Sequence, residues 1–315
     1  MITTDVSILV VNWNTRKILC NCLRSVYEQT REINFEVIVI DNASADGSAE
    51  RIKKEFPQAI LIPNSDNRGF AAANNQGMKI AKGRYVLLLN PDTVVLDGAV
   101  QKSVAYADDH QDVGVLGCQV WLNDKEIQQT CFSFPSVCGL IMQKTGLCRM
   151  FPRSGVFGWE KMAGWNRDTE REVDVVSGMF MLVRREAIDQ VGLMDEAYFI
   201  YAEETDWCFR FKRAGWKCVF TPTARIVHLD GGSKSTEQIS TKMFVQEHKS
   251  LLIFYKKQRG VVSWAVARGI YIFSMLIRYG VFVALSFFQR DNNASKKASQ
   301  SQAALKFLLF GIEPK

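Results

Sequence analysis

The segment GRYVLLLNPDT, residues 83–93, decides the fold. Its part Tyr85–Leu89 has five apolar or aromatic residues in a row, too few for a free-standing helix and without alternation, which predicts a strand buried on both faces of a parallel sheet. Pro91 lacks a backbone donor and ends the strand, so Asp92 follows at its carboxyl end. Ligands of open α/β sheets bind at that edge, which makes Asp92 a candidate binding residue, although an isolated N-P-D-T is more often an ordinary turn.

Strand and helix patterns alternate along the residues before this segment. Buried strands are predicted at Val6–Val11 and Phe35–Ile40 and a short strand at Ala59–Ile62, each followed by a helix, around Ile18–Val26, Ser48–Phe56 and Ala71–Ala81. Three successive β-α units favour a parallel sheet with right-handed crossovers. The sequence therefore predicts an α/β fold with a mostly parallel central sheet flanked by helices.

Composition narrows the class of protein. With 315 residues and 47% hydrophobic content, the chain can bury a large core in one or two domains. The net charge of +6 suits an anionic ligand or a membrane surface, but the basic residues are spread out without a recognisable motif, so no nucleic acid partner is expected. Eight cysteines without C-x-x-C pairs predict free thiols in a reducing compartment. The N-terminal residues lack a signal-peptide pattern, so the folded body is expected to be cytoplasmic.

The loops after the predicted strands lack the usual phosphate-binding motifs. The first turn, VNWNTRK at residues 11–17, contains neither G-x-G-x-x-G nor a P-loop. A bound diphosphate would need another partner. A divalent cation anchored by Asp92 is the obvious substitute, because such ions combine one or two carboxylates with phosphate oxygens.

A second group of candidate residues lies beyond residue 198. Glu203, Glu204 and Asp206 open a predicted helix, where the helix dipole favours ionised carboxylates and explains one or two acidic residues, but three exceed what capping requires. His228 follows the short predicted strand Arg225–Val227 and precedes the glycine-rich turn Asp230–Ser233. A lone histidine is more often structural than a ligand, so its role stays open at this point.

The middle of the chain is less regular. A helix-like stretch is predicted at Val94–Ser103, and strands at Val113–Trp121 and Trp216–Thr221. The segment Cys131–Asp174 is rich in aromatic residues, which suits a long variable loop at the mouth of a site. Its rings would either pack against sugars or form the core of a subdomain.

The character of the chain changes after Lys234. Helix is predicted at Ser240–Gln258, and Val261–Phe288 is almost continuously apolar, interrupted by Arg268 and Arg278. Burying Arg268 in a bilayer would be costly, which favours an interfacial helix or a helical hairpin over a spanning helix. A polar linker is predicted at residues 290–302 and a last short apolar segment at residues 305–312.

Seven motifs carry a resemblance to a known family: VSILVVNWN (6–14), VIVIDNASADGS (37–48), NRGFAAANN (67–75), GRYVLLLNPDT (83–93), VSGMFMLVRREA (176–187), FIYAEETDWCFR (199–210) and ARIVHLDGGS (224–233). Over about residues 5–235 the chain resembles the family-2 inverting glycosyltransferases of the Rossmann-like GT-A fold, in particular the bacterial rhamnosyltransferase-like branch that builds O-antigen or exopolysaccharide. The resemblance implies a GT-A domain at 1–235, with a nucleotide-binding part at about 1–120 and an acceptor part at about 121–235. Residues 236–315 would form a C-terminal helical region associated with the membrane.

The resemblance also implies roles for single residues. Asp41 would accept a hydrogen bond from a pyrimidine N3–H, and Asn90 and Asp92 occupy the place of a D-x-D metal motif, of which Asn90 is neutral. Mg²⁺ or Mn²⁺ would be held by Asp92 and His228. The other residues implied in nucleotide-sugar binding are Asn12, Asn14, Asn67, Arg68 and Asn74.

The implied catalytic base is Glu204, with Glu203 and Asp206 as alternatives, and the acceptor region is expected to include Ser177, Gly178 and Trp165. The expected reaction moves a sugar from a nucleoside-diphosphate donor, first dTDP-rhamnose and otherwise a UDP-sugar, to a lipid-linked glycan. It would take place at the cytoplasmic face of the bacterial inner membrane, with the protein peripheral or monotopic. The rival expectations are a non-catalytic glycan- or nucleotide-binding module and a sugar nucleotidyltransferase.

Overall fold

The computed structural model describes residues 4–122, 126–229, 240–289 and 292–314. Its strands are β1 Val6–Asn12, β2 Phe35–Asp41, β3 Ile60–Pro63, β4 Tyr85–Leu89, β5 Thr93–Val95, β6 Val113–Leu122, β7 Glu126–Ile127, β8 Cys131–Phe132, β9 Arg171–Val173, β10 Val175–Val176, β11 Phe180–Arg184 and β12 Lys217–His228. Its helices are α1 Arg16–Gln29, α2 Ser48–Glu55, α3 Phe70–Ile80, α4 Ala99–Asp109, α5 Val137–Lys144, α6 Leu147–Met150, α7 Arg185–Val191, α8 Glu203–Arg213, α9 Ser240–Phe254, α10 Gly260–Gln289 and α11 Asn292–Phe310. A π-helical turn, Tyr255–Arg259, joins α9 to α10.

The central sheet has the strand order β3-β2-β1-β4-β11-β6-β12-β5, with β7 added beside β6 and β9 beside β12. Strands β1 to β4 pair in parallel, as the sequence predicts, and successive residues of β4 enter hydrophobic clusters on opposite faces. One cluster includes residues of α1, α2 and α4, and the other includes residues of α3, α7 and α8. The expected layered α/β architecture is confirmed.

Two antiparallel pairings bring distant segments to the end of β4. Strand β11 runs against β4 with Phe180 opposite Leu89, so the residues before β11 lie beside Asn90. Strand β5 runs against β12 with Thr93 opposite His228. The carboxyl end of β4 therefore meets the start of β11 and the end of β12, which defines one edge of the sheet as a meeting point of loops.

Several sequence expectations are corrected. The stretch Val94–Ser103 is not a helix from its start, because β5 pairs with β12 up to Val95 and α4 begins only at Ala99, after Gly98 with φ 68°. The two strands expected at 216–227 are one strand, β12, whose register shifts between Thr221 and Arg225, around Pro222. The segment 131–174 is also more ordered than a loop, since it contains α5, α6, β8 and β9.

The C-terminal helices pack on one another and on the sheet domain. Residues 292–302, expected as part of a polar linker, belong to α11, because its small and apolar residues Ala304 and Leu308 enter a third hydrophobic cluster with Ala267 and Tyr271 of α10. Phe254 of α9 instead joins the core beneath the central sheet. The C-terminal region is therefore built into the fold, and α10 and α11 form the helical hairpin.

Within the described residues, the helical stretch Thr241–Phe288 is long and apolar enough to cross a bilayer, with a mean hydropathy of 1.8 in an 18-residue window. Only 11% of that window is buried inside the protein, so it is not an ordinary core helix. Its exposed apolar side chains include Val262, Phe273, Ile277 and Phe287. Length and composition are compatible with membrane association.

Candidate active site

Two adjoining cavities lie at the carboxyl edge of the parallel strands. The larger, of about 750 Å³, is lined by Asp92, His228, Glu203 and Glu204, among others. The smaller, of about 130 Å³, is lined by residues from the loops after β1, β2 and β4 and from the segment before α8. Both cavities include Phe70, Asn90, Asp92 and Ile200. Asp92 thus lies where the two cavities meet, so its carboxylate is accessible from both.

Asp92 and His228 are buried side by side. The Nε2 atom of His228 lies 3.2 Å from Oδ2 of Asp92, and the other imidazole nitrogen, Nδ1, lies 2.9 Å from Oε1 of Gln128. When Nδ1–H donates to Gln128, a neutral imidazole turns the lone pair of Nε2 toward the carboxylate, so that two acceptors face each other. A proton or a cation between them resolves this contact.

The Asp92 carboxylate has further unused capacity. Its Oδ1 atom is buried and has no hydrogen-bond partner among the described residues. Oxygen and imidazole nitrogen are suitable ligands for Mn²⁺ or Mg²⁺, and a metal that also binds a diphosphate needs few ligands from the protein. In the part of the chain that the structure describes, no group of three or more His, Cys, Asp or Glu side chains is arranged around a metal position. At this edge of the sheet, the described residues that offer donors suited to a metal are Asp92 and His228.

Asn12, Asn14 and Asp41, three of the residues predicted to bind the nucleotide sugar, connect the loops after β1 and β2. The Asn12 amide donates to Asp41 Oδ1 at 2.7 Å and to Ser44 Oγ at 2.9 Å, and the Ser44 N–H donates to Asp41 Oδ2 at 3.0 Å. Asn14, with φ 55°, accepts from the backbone of Ala45 at 2.8 Å. Neither Asn12, Asn14 nor Asp41 is among the residues that line the two described cavities. Their contacts hold the loops after β1 and β2 together.

The residues predicted to close over the donor separate into two groups. Asn67 lines the smaller cavity, and Arg68 is half exposed with its Nε 3.6 Å from Asp66, so its guanidinium has room to reach a phosphate. Asn74 is different, because it is buried within α3 and donates to the Phe70 carbonyl at 3.0 Å. The structure therefore does not bring Asn74 to either described cavity.

Sequence reasoning missed other residues of the smaller cavity. Trp13 and Asn42 line it, and the Asn42 amide donates to the Gly69 carbonyl at 3.1 Å. Gly69 has φ 82°, and a Cβ there would lie 2.3 Å from the Phe199 carbonyl oxygen. Only glycine allows this approach, through which the Phe70 N–H donates to Phe199 at 2.6 Å. Trp13 follows directly on Asn12 at the end of a strand, which is the signal that could have identified it.

Glu203 and Glu204 enter the larger cavity from the first turn of α8. The two residues before them, Tyr201 and Ala202, have φ 70° and φ 62°, a left-handed conformation that costs non-glycine residues energy. This sharp turn starts the helix at the wall of the cavity. Strain at this position is consistent with selection for the placement of the carboxylates.

Burial controls the ionisation of this pair. Burial, and then the charge of Glu204, raise the pKa of Glu203 well above its ordinary value, and Oε2 of Glu203 has no partner among the described residues. Burial also raises the pKa of Glu204, but hydrogen bonds from its own N–H and from Thr205 oppose the increase. Desolvation thus opposes the helix dipole, which favours the ionised form. Of the two, Glu204 has the additional hydrogen bonds from Thr205 that favour its ionised form.

Asp206, the third acidic residue, has a structural role. It is buried, and it accepts hydrogen bonds from the Tyr198 hydroxyl at 3.2 Å, from Gln258 Nε2 at 2.7 Å and from Arg210 Nε at 2.9 Å. It is absent from the residues that line the larger cavity. Asp206 therefore connects α8 to the π-helical turn of the C-terminal region and is unavailable as a base.

The predicted acceptor residues are also divided. Ser177 and Gly178 line the larger cavity, next to Asn90, because of the β4–β11 pairing. Trp165 does not line it, and its ring instead packs edge-on against Phe220 with centroids 4.8 Å apart. The guanidinium groups of Arg167 and Arg171 lie 5.1 Å and 4.9 Å from the Trp165 ring. This ring belongs to the core, which favours the subdomain interpretation of the aromatic segment.

Glu160 is a buried cavity residue that the sequence did not single out. Its Oε2 atom has no hydrogen-bond partner among the described residues, and burial raises its pKa to about 7. The carboxyl group packs against Gly139 of α5, where a Cβ would lie 1.3 Å from Oε2. Glu247 and Leu251 of α9 line the same cavity. These contributions come from segments with no motif, so no sequence signal identifies them.

Comparisons with known proteins show to which family the chain is similar. The model of the family described as Glycosyl transferase family 2 matches residues 7–192. A protein of Mycobacterium tuberculosis strain H37Rv named N-acetylglucosaminyl-diphospho-decaprenol L-rhamnosyltransferase is 29% identical over 231 residues, which cover 69% of this chain and 73% of that protein. The O-antigen biosynthesis protein RfbC of Myxococcus xanthus is 24% identical over 246 residues, covering 75% of this chain and 18% of that protein.

Two solved structures share the fold. The mannosyltransferase PcManGT of Pyrobaculum calidifontis, in complex with GDP-Man and Mn²⁺, aligns with a TM-score of 0.54 and 16% identity over 99% of this chain and 88% of its own. GalNAc-T7, with UDP, GalNAc and Mn²⁺, aligns with a TM-score of 0.55 and 15% identity over 81% of this chain and 51% of its own. At these identities the likeness supports the GT-A fold alone.

Proposed function

Because this chain belongs to glycosyl transferase family 2 and is a glycosyltransferase, we propose that it moves one sugar, with inversion, from a nucleoside-diphosphate donor to a hydroxyl of a lipid-linked acceptor. The observation that carries the proposal is the single cavity that presents both Asp92, with a free buried oxygen, and Glu204. The name of the mycobacterial relative supports a rhamnosyl donor and a polyprenyl diphosphate acceptor. A dTDP-rhamnose donor is our first choice, and a UDP-sugar the second.

The reaction is a single displacement. The Glu204 carboxylate takes the proton of the acceptor hydroxyl as that oxygen attacks the anomeric carbon. The bond from the anomeric carbon to the diphosphate oxygen breaks, and the nucleoside diphosphate leaves with the electron pair. Inversion follows from attack on the face opposite the leaving group. Glu203 stays protonated beside Glu204 and can donate a hydrogen bond to the acceptor sugar.

Asp92 and His228 would hold the divalent metal. When bound, Mg²⁺ or Mn²⁺ would neutralise charge on the diphosphate leaving group. Arg68 adds a mobile cationic side chain on the same side of the site, suited to the outer phosphate oxygens. Trp13, Asn42 and Asn67 would surround the base and ribose in the smaller cavity. Asp41 and Asn12 keep the loops of that cavity in place, and Asp41 remains our candidate for reading the pyrimidine.

On the acceptor side, Ser177 and Gly178 would border the bound sugar, and Glu160 would accept a hydrogen bond from one of its hydroxyl or amide groups. The exposed apolar side chains of α10 support attachment to the membrane, peripheral or monotopic, at the cytoplasmic face where nucleotide sugars are available. Helix α9, which continues into α10 through the π-helical turn, contributes Glu247 and Leu251 to the cavity, so attachment would hold the cavity near lipid-linked substrates.

A donor panel tests the proposal. Purified full-length protein is incubated with dTDP-rhamnose, UDP-sugars or GDP-mannose, with N-acetylglucosaminyl-diphospho-decaprenol as acceptor, and release of nucleoside diphosphate is measured with Mn²⁺, Mg²⁺ or a chelator. We expect acceptor-dependent release with one thymidine or uridine donor, abolished by the chelator. Release of pyrophosphate from a nucleoside triphosphate and sugar phosphate would instead identify a nucleotidyltransferase, and donor binding without turnover would identify a binding module.

A further inference from the structure

An apolar groove, separate from the two cavities described above, lies between α5 and α10. It encloses about 630 Å³, and its lining is mainly aliphatic and aromatic and includes Ile141, Lys144, Val266, Gly269, Phe273 and Ile277. Gly269 faces open space, since nothing lies within 4 Å of a Cβ built on it. Ile141, Val266, Phe273 and Ile277 are all exposed large hydrophobic residues. A groove of this composition on an aqueous surface would be costly, so it is suited to an apolar occupant.

Helix α5 separates this groove from the catalytic cavity. Gln143 lines the cavity that contains Glu204, and the next residue, Lys144, lines the groove. Glu160, at the cavity wall, packs against Gly139 on the same helix. A ligand that passes around α5 could therefore occupy the groove with one part and the cavity with another.

A lysine adds a positive charge to the lining of the groove. Lys144 is exposed, and its ammonium group lies 5.0 Å from the centroid of the Tyr271 ring, which fixes it beside α10. Arg149 and Arg278 are close enough to act on Lys144 electrostatically, and Glu247 is its acidic neighbour. An anionic group that leaves an apolar chain in the groove would meet this lysine before it enters the cavity.

We propose that this groove binds the isoprenoid chain of a polyprenyl diphosphate-linked acceptor, with Lys144 contacting the diphosphate and the attached sugar reaching the catalytic cavity. The inference rests on the proposed function, because it assumes a lipid-linked acceptor. Three features support that occupant over a phospholipid of the surrounding bilayer: an apolar groove, a lysine in its lining, and a shared helix that lines both the groove and the catalytic cavity. The groove thus defines the lipid-binding half of the acceptor site.

Two glycines of α10 provide a matched test. Gly269 lines the groove and Gly280 does not, and both are exposed helical positions where an added Cβ atom meets nothing within 4 Å. Gly269→Phe fills the groove, whereas Gly280→Phe adds the same ring to the same helix elsewhere. Native mass spectrometry of the detergent-solubilised full-length proteins with added decaprenyl diphosphate measures binding directly. We expect at least about tenfold weaker binding for Gly269→Phe, because several buried CH₂ groups lose their contacts, and unchanged binding for Gly280→Phe.

A second variant tests the headgroup contact. Lys144→Gln should weaken binding of decaprenyl diphosphate but not of decaprenol, which lacks the diphosphate. Equal binding of decaprenyl diphosphate to wild type and Gly269→Phe, or no binding to wild type, would overturn the inference. The donor panel described above tests the proposed sugar transfer independently of lipid binding. If decaprenyl diphosphate binds in the groove but no sugar is transferred to any lipid acceptor, the proposed function is rejected and the groove is supported. If sugar is transferred and Gly269→Phe binds and reacts like wild type, the proposed function is supported and the groove is rejected.

Discussion

The Nε2 atom of His228 lies 3.2 Å from Oδ2 of Asp92, at the junction of the two cavities. The pairing of β5 with β12 creates this contact, since Thr93, the neighbour of Asp92, stands opposite His228 in the ladder. A backbone register therefore sets the distance between two side chains that no local pattern connects. The first prediction tests what this distance is for.

Asp92→Ala should abolish metal-dependent binding of the donor nucleotide, and His228→Ala should weaken it. The reason is that Asp92 alone supplies a charged oxygen to the pair, whereas a water can replace the imidazole. Isothermal titration with Mn²⁺ and the nucleoside diphosphate, with and without chelator, measures the effect. Asp97→Ala is the matched control, because Asp97 is an exposed carboxylate nearby that pairs with Arg225. Chelator-resistant activity in Asp92→Ala would contradict the metal assignment.

Glu204→Gln should keep donor affinity but reduce the transfer rate by about a hundredfold or more, as expected when a positioned base is lost. Glu203→Gln should cost less, because glutamine resembles the protonated form in which Glu203 is held. Single-turnover transfer rates, with donor Kd measured in parallel, separate chemistry from binding. An inactive Glu203→Gln variant together with a normally active Glu204→Gln variant would assign the catalytic base to Glu203 instead.

The pH dependence of kcat/KM should rise through a pKa above that of an ordinary carboxyl group. The base acts when ionised, and burial raises the pKa of Glu204, so activity appears only as the pH passes that raised value. Glu203→Gln should leave the position of this rise nearly unchanged, since the proposed base is Glu204 and glutamine mimics a protonated Glu203. A large displacement in that variant would mean that Glu203 ionises before Glu204.

Asp206→Asn should destabilise the protein by about 2 kcal/mol or more, because it leaves Arg210 without its buried partner. Gln258→Ala, which removes one uncharged donor to the same carboxylate, should cost about 1 kcal/mol. Thermal unfolding of the detergent-solubilised proteins measures both. Transfer by the folded fraction should persist in both variants; if Asp206→Asn is stable and inactive, Asp206 has a chemical role after all.

Glu160→Gln should change how stability depends on pH. The folded-state pKa of Glu160 is about 7, above the ordinary carboxyl value, so the folded protein holds a proton that the unfolded chain releases, and stability is lost as the pH rises from about 4.5 to 7. The glutamine variant lacks this loss and should be more stable than wild type by about 3 kcal/mol at pH 8, but not at pH 4. Melting curves of both proteins at pH 4 and pH 8 measure this difference. A stability difference between wild type and Glu160→Gln that is the same at both pH values would refute the burial argument.

The local pattern of the sequence was sufficient for the strands of the parallel half, because Tyr85–Leu89 and its neighbours are continuous apolar runs. It also placed Asp92, Glu203, Glu204 and His228 at element ends. It failed where a contact depends on partners distant in sequence. Strand β5 is only three residues long and exists because β12 pairs with it. The polar start of α11 is helical because its small residues Ala294, Ala298 and Ser301 are buried, with Ser301 accepting a hydrogen bond from Arg278 of α10.

The prediction of the site residues from the sequence was limited in the same way. Motif position cannot distinguish a side chain that faces a cavity from one that is used within the scaffold, which is why Asn74 and Trp165 were misplaced. Glu160 and Glu247 lie in segments without motifs, and only their tertiary placement makes them cavity residues. Residues 230–233, the glycine-rich turn after His228, lie outside the described residues.

Gly260, which follows the π-helical turn, has φ 86° and ψ 170°, a combination that essentially only glycine adopts. It joins the helix that lines the catalytic cavity to the apolar helix that carries the groove. In the proposed membrane-attached arrangement, this joint would contribute to the tilt of the catalytic domain and to the height of its opening above the headgroups. Together with the packing of α9 against α10 and α11, the backbone angles of Gly260 would then limit how far the site reaches toward an acceptor anchored in the same bilayer.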